Sequence, residues 1–235
     1  MNRLTTTLLC AIALLTVTAQ TKHFELNVGS FESLVVTDNI NVTYESNDQK
    51  AGTVVFDCRQ DIANGLLLNN NTHGKLTIQV STEVLGTPNL PTLHVYSRSL
   101  SYAENAGDST LTIIKPKSQR SLKLLLSDNG TIKASDIEVP ELELMLITGK
   151  GLITASGFSQ KMKAQVLGKG TIDAFDMSAQ IINCRMTGTG TIDVDAEGAE
   201  LNVRGTGTGH INYLGTPSNL KVRKLGPLKV TQMDR

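Results

Sequence analysis

A glycine returns every 19 to 21 residues through the second half of this chain, and no other feature restricts the fold as much. The segments DNGTIKA, GKGLITA, GKGTIDA, GTGTIDV and GTGHINY place it at Gly130, Gly151, Gly170, Gly190 and Gly209. Two residues after each stands an isoleucine: Ile132, Ile153, Ile172, Ile192 and Ile211. Two further on stand Ala134, Ala155, Ala174, Val194 and Tyr213. Apolar residues at every second position after a turn form a short strand with one buried face. About ten residues later each period carries a second pair: Leu142 and Leu144, Ala164 and Val166, Ile182 and Cys184, Leu201 and Val203, Leu220 and Val222.

A period near 20 residues is half of what a propeller blade needs (about 40) and lacks the helical half of a leucine-rich repeat. Glycine and β-branched residues are too frequent here for helix. The period fits one coil of an all-β, single-stranded parallel β-helix solenoid, with coils stacked about 4.8 Å apart and equivalent side chains forming ladders. The crossover rule predicts a right-handed coil. An antiparallel sandwich of hairpins is the competing fold. In a solenoid the glycines serve either turns of positive φ or the close stacking of adjacent turns. Residues 126–225 are expected as the regular G-x-G-x-I coils. Residues 20–125 are expected as irregular, decorated N-terminal coils of the same stack, with inward Leu34, Val36, Ile40, Val42, Tyr44, Leu93, Val95, Leu111 and Ile113. The whole of 20–235 is expected to be one domain.

Residues 1–19 read as a separate segment. Arg3 supplies a positive start, Leu8 to Val17 an apolar stretch too short to span a bilayer, and Val17 and Ala19 the small residues of a signal-peptidase site. The chain is therefore expected to be exported, to the periplasm, the outer surface or the medium, with no transmembrane segment after cleavage. Cys10 lies too early in this segment to be lipidated. The remaining cysteines, Cys58 and Cys184, make no disulfide framework, and the alternation of Ile182, Cys184 and Met186 turns Cys184 inward.

Charge and aromatics remove other classes. Lys and Arg number 22, as do Asp and Glu, so no cationic excess favours nucleic acid. There is no Trp and aromatics are 4% of the chain, which leaves little to stack on bases or sugars.

The stretch GTIDVDAEG resembles the start of a calcium loop. Counted from Asp193, however, position 12 is Arg204, where the loop requires a bidentate Glu. What remains is a carboxylate ladder. Asp173 and Asp193 occupy the same outward position on adjacent coils, with Asp195 two residues along. Such a pair either raises one pKa or recruits a cation. Lys150 and Lys169 sit in GKG turns without the Ser or Thr of a phosphate loop, and no helix follows. His23, His73, His94 and His210 show no ligand spacing, and G-x-S-x-G is absent. No catalytic residue and no cofactor is expected. Asp173, Asp193, Asp195 and Arg204 are the nearest approach to an enzymatic cluster.

FESLVVTDNINVTYE, GKLTIQV, the repeated G-x-G-x-I coils and the closing GTGHINYLGTPSNLKVRKLGPLKV together resemble the auto-transporter adhesin head (GIN) domain family, over about residues 24–230. The resemblance implies a parallel β-helix, export, mainly in Gram-negative bacteria, and no known catalytic residues. The expected role is non-enzymatic, adhesin-like binding of a glycan or an envelope or surface protein by polar ladders on the outer faces. A carbohydrate-active lyase or hydrolase and a purely structural envelope component are the alternatives.

Overall fold

A computed structural model describes residues 20–234; the segment read as a signal peptide, with Cys10, lies outside them. The strands are β1 (Lys22–Asn27), β2 (Ser33–Val36), β3 (Val42–Ser46) and β4 (Thr53–Cys58). A short helix, α1 (Gln60–Asn64), leads into β5 (Leu66–Asn70) and β6 (Lys75–Val80). Next come β7 (Leu93–Ser97), β8 (Tyr102–Asn105), β9 (Thr110–Ile114) and β10 (Ser121–Leu126). Three long strands follow, β11 (Thr131–Leu146), β12 (Leu152–Val166) and β13 (Thr171–Gly188). The last are β14 (Thr191–Asp195), β15 (Glu200–Gly207), β16 (His210–Leu214), β17 (Asn219–Leu225) and β18 (Lys229–Gln232).

All of these strands but β1, β4 and β5 stack in parallel into a β-solenoid of about seven turns. One face is built from β7, β3, β9, the beginnings of β11, β12 and β13, then β14, β16 and β18. The second is built from β6, β2, β8, β10, the ends of β11, β12 and β13, then β15 and β17. Each long strand serves both faces. The ladder Leu111, Ile132, Ile153, Ile172, Ile192, Ile211 runs in strict register up the first face, and all six are fully buried.

The repeat glycines serve close stacking. Gly151, Gly170, Gly190 and Gly209 all have ordinary φ, and a Cβ on any of them would collide with the carbonyl oxygen of the glycine one coil below. That same oxygen is in use. Gly130, Gly151, Gly170 and Gly190 accept the N–H of Leu152, Thr171, Thr191 and His210 at 2.9–3.1 Å. A side chain here would separate coils where the ladder closes. The one-in-twenty glycine is thus a column along the solenoid, and its spacing is the length of a coil.

One pair in the second ladder is displaced from the sequence expectation. Met162, not Ala164, pairs with Leu142 and Ile182, and Ala164 pairs with Leu144 and Cys184. Cys184 faces the core, where burial pushes its thiol up to about 12, and Cys58 and Cys184 are both free thiols.

The N-terminal strands join the stack out of chain order. Strand β2 lies between β6 and β8, and β3 between β7 and β9. The first coil of the sequence is therefore covered by a later one. Antiparallel pairing, expected nowhere in a single-stranded parallel solenoid, is confined to this end: β5 with β6, β4 with β7, and β1 with β4. The reversal into β6 is tied by Asn71, whose Oδ1 accepts the N–H groups of His73 and Lys75. Phe24 and Phe56 stack as a cross-strand pair, ring centroids 5.1 Å apart. These strands shield an edge that would otherwise template further pairing. The other end is only partly covered among the described residues: Leu228 is fully buried, but Leu220 and Val222, at inward positions, are 42% and 39% exposed.

Candidate functional site

Register aligns outward side chains as strictly as inward ones. On the second face one outward column reads Lys123, Glu143, Lys163, Asn183, Asn202, Lys221. Its lower members neutralise one another: Glu143 pairs with Lys163 at 2.9 Å and with Lys123 at 3.7 Å. Beside it, Lys161 meets Glu141 at 3.9 Å and Lys221 meets Glu200 at 3.1 Å. The Glu200 carboxyl is held below its usual range, first by the Asn202 hydrogen bond and then by Lys221. Exposed pairs of this kind contribute little to stability, because solvent and salt screen them.

The adjacent column differs. It reads Leu125, Met145, Gln165 and then Arg185, Arg204, Arg223, on three successive coils. All three arginines are exposed. Among the described residues no ion pair or side-chain hydrogen bond engages any of them. They line an open trough of about 850 Å³ whose lining includes Lys161, Lys163 and Lys224 but no Asp or Glu. Asn183 and Asn202 flank the arginines on one side, Thr187 and Thr206 on the other. Chemically the trough is an anion-facing surface bordered by neutral hydrogen-bonding groups. Of the three, only Arg204 is singled out by the sequence. The signal was present: 185, 204 and 223 are 19 residues apart, the spacing of the glycines.

On the first face the expected carboxylate pair is in register, Asp173 opposite Asp193. The next coil supplies Asn212, whose Nδ2 donates to Asp193 Oδ1 at 2.8 Å. That donor occupies a direction in which a cation would need another oxygen. Asp195 instead accepts the N–H of Glu197 at 3.0 Å and ties down the following turn. Among the described residues no group of three or more His, Cys, Asp or Glu is placed to hold a metal. Arg204 belongs to the second face, so the grouping of Asp173, Asp193, Asp195 and Arg204 is divided between two sides of the molecule. Lys150 and Lys169 are exposed turn residues on adjacent coils, and His94 faces solvent.

Burial pushes the Asp193 carboxyl above its usual value; the Asn212 hydrogen bond opposes this and the charge of Asp173 adds to it. A carboxyl raised on folding holds its proton longer in the folded chain than in the unfolded one. Stability from this group is therefore lost as pH rises from the ordinary value near 3.8 through the raised one, and stays lost at neutral pH. Asp193→Asn should melt higher than the wild type at pH 7, and the difference should vanish below that window. Equal melting temperatures at pH 7 would contradict this.

A family model described as "Putative auto-transporter adhesin, head GIN domain" matches residues 30–217. Among solved structures, a putative adhesin from Bacteroides fragilis NCTC 9343 superposes with a TM-score of 0.75 at 16% identity, covering 91% of this chain and 97% of that one. A putative lipid binding protein from Parabacteroides distasonis ATCC 8503 gives 0.69 at 18% identity, and a putative adhesin from the same strain 0.68 at 20%. Each of these two covers 92% of this chain and is itself 98% covered. At such identities the likeness is one of fold. No curated protein matches the chain.

Proposed function

The chain belongs to the family of putative auto-transporter adhesin head GIN domains, and on that footing we propose that it is an exported binding protein, which meets a glycan or a surface protein through the outer faces of its solenoid without chemical turnover. Export rests on the charge, length and small-residue pattern of residues 1–19. The observation that carries the binding reading is the rigid alignment of outward side chains. Backbone register holds Asn183 over Asn202, Arg185 over Arg204 over Arg223, and Thr187 over Thr206. A ligand meeting such a surface gains many polar contacts without ordering loops, which limits the entropic cost of binding.

The test is a panel of immobilised oligosaccharides and purified envelope proteins, read for saturable binding and then for product. Saturable binding with every oligosaccharide recovered intact is the expected result. Release of new sugar ends would overturn the non-enzymatic reading in favour of a lyase or hydrolase.

A further inference from the structure

We infer that the column Arg185, Arg204, Arg223 is a docking track for a linear anionic polysaccharide, one that carries carboxylate or sulfate groups along its length. The inference rests on the binding function proposed above and names its ligand class. Three observations carry it.

The first is unbalanced charge. The chain has equal numbers of acidic and basic residues, and elsewhere on this face lysines and glutamates pair across coils, Lys221 with Glu200 beside the upper arginines included. In the arginine column that pairing stops. The three arginines stand on backbone positions about 4.8 Å apart, one per coil, with no acid in the trough around them.

The second is geometry. Guanidinium presents a planar fork of donors that fits a carboxylate or sulfate with two parallel hydrogen bonds. Three forks in line along the solenoid are used together only by a ligand whose charges recur in the same direction. A single small anion would occupy one or two of them.

The third is what lies alongside. Amides at Asn183 and Asn202 and hydroxyls at Thr187 and Thr206 border the arginines, and these groups suit the hydroxyls of sugars. No aromatic side chain lines the trough, so bases would find nothing to stack on. Apart from Cys184 and Leu225 its lining side chains end in charged or hydrogen-bonding groups, and an acyl chain lying in the trough would strip water from them.

The experiment titrates the purified chain calorimetrically with a defined oligogalacturonate and a chondroitin sulfate oligosaccharide. A neutral dextran oligosaccharide and single-stranded DNA of equal charge serve as comparisons. One of the acidic oligosaccharides should bind saturably, and more weakly as salt rises. Arg204→Gln should weaken that binding about tenfold or more, the loss expected for charge-assisted hydrogen bonds. Arg204→Lys, which keeps the charge and loses the fork, should fall between. Lys133→Gln, on the first face, should leave it unchanged, and all variants should melt as the wild type does. Unaltered binding by the triple Arg→Gln variant would overturn the track, as would DNA binding as tightly as the glycan. Binding of a neutral glycan or a protein that ignores the arginines would sink the track but leave the binding function standing. A panel with no saturable ligand of any kind would remove both.

Discussion

Alanine at Gly190 is expected to destabilise the folded chain by about 3 kcal/mol or more, the upper end of what an added methyl costs in a packed interior. Its Cβ would fall on the carbonyl oxygen of Gly170, with Val166 Cγ1 2.8 Å away and the Lys169 carbonyl carbon at 3.2 Å. Two of these three neighbours are backbone and cannot rotate aside. The displaced oxygen is the one that accepts the Thr191 N–H at 3.0 Å, so relief of the clash costs a ladder hydrogen bond as well. Gly198 is the informative comparison. There φ is +69° and nothing lies within 4 Å of the added carbon, so alanine meets only the left-handed backbone penalty of about 1–2 kcal/mol. Urea unfolding of the two variants should show the larger loss at Gly190. The reverse order would mean that conformation, rather than stacking, selects the repeat glycine.

The regular coils were readable because their cause is local and repeated. A glycine, a spacer and an isoleucine recur, and each isoleucine is buried in one ladder. The reading slipped by two residues in one coil for a definite reason. Met162, Ala164 and Val166 alternate with Lys163 and Gln165, so three successive apolar positions offer themselves as the pair. Only the partners Leu144 and Cys184 identify Ala164 as the second inward position. The N-terminal order was hidden more deeply. Alternation shows that Leu34 and Val36 face a core, but not that β2 is sandwiched between β6 and β8. That choice depends on pairings made far along the chain.

The candidate site divides in the same way. Asp173 and Asp193 were legible as a stacked pair because both follow the repeat isoleucine directly. What Asp193 does there depends on Asn212, one coil higher, and becomes visible only once the coils are stacked. The arginines are spelled out at the repeat spacing, yet no local motif announces them. Between neighbouring columns the chemistry changes from paired lysines and glutamates to unpaired guanidinium. That contrast exists only across coils, so no single stretch of sequence carries it.

Truncation of Ile182 to alanine is expected to cost about 2–5 kcal/mol, the range for removing a fully buried aliphatic side chain from a packed core. Ile182 is 0% exposed, with Met162 below it and Leu201 above it in the same inward column. Each coil of a solenoid is stabilised mainly by its neighbours, so a cavity here weakens two interfaces at once. Leu220 closes the same column one coil beyond Leu201, but it is 42% exposed. It has an interface on one side only, and Leu220→Ala should cost about 1 kcal/mol, in line with the smaller apolar area it buries. Chemical denaturation of Ile182→Ala, Leu201→Ala and Leu220→Ala should therefore show two large losses and one small one. Three equal losses would mean that the C-terminal edge is covered in solution, against the open last coil in the fold.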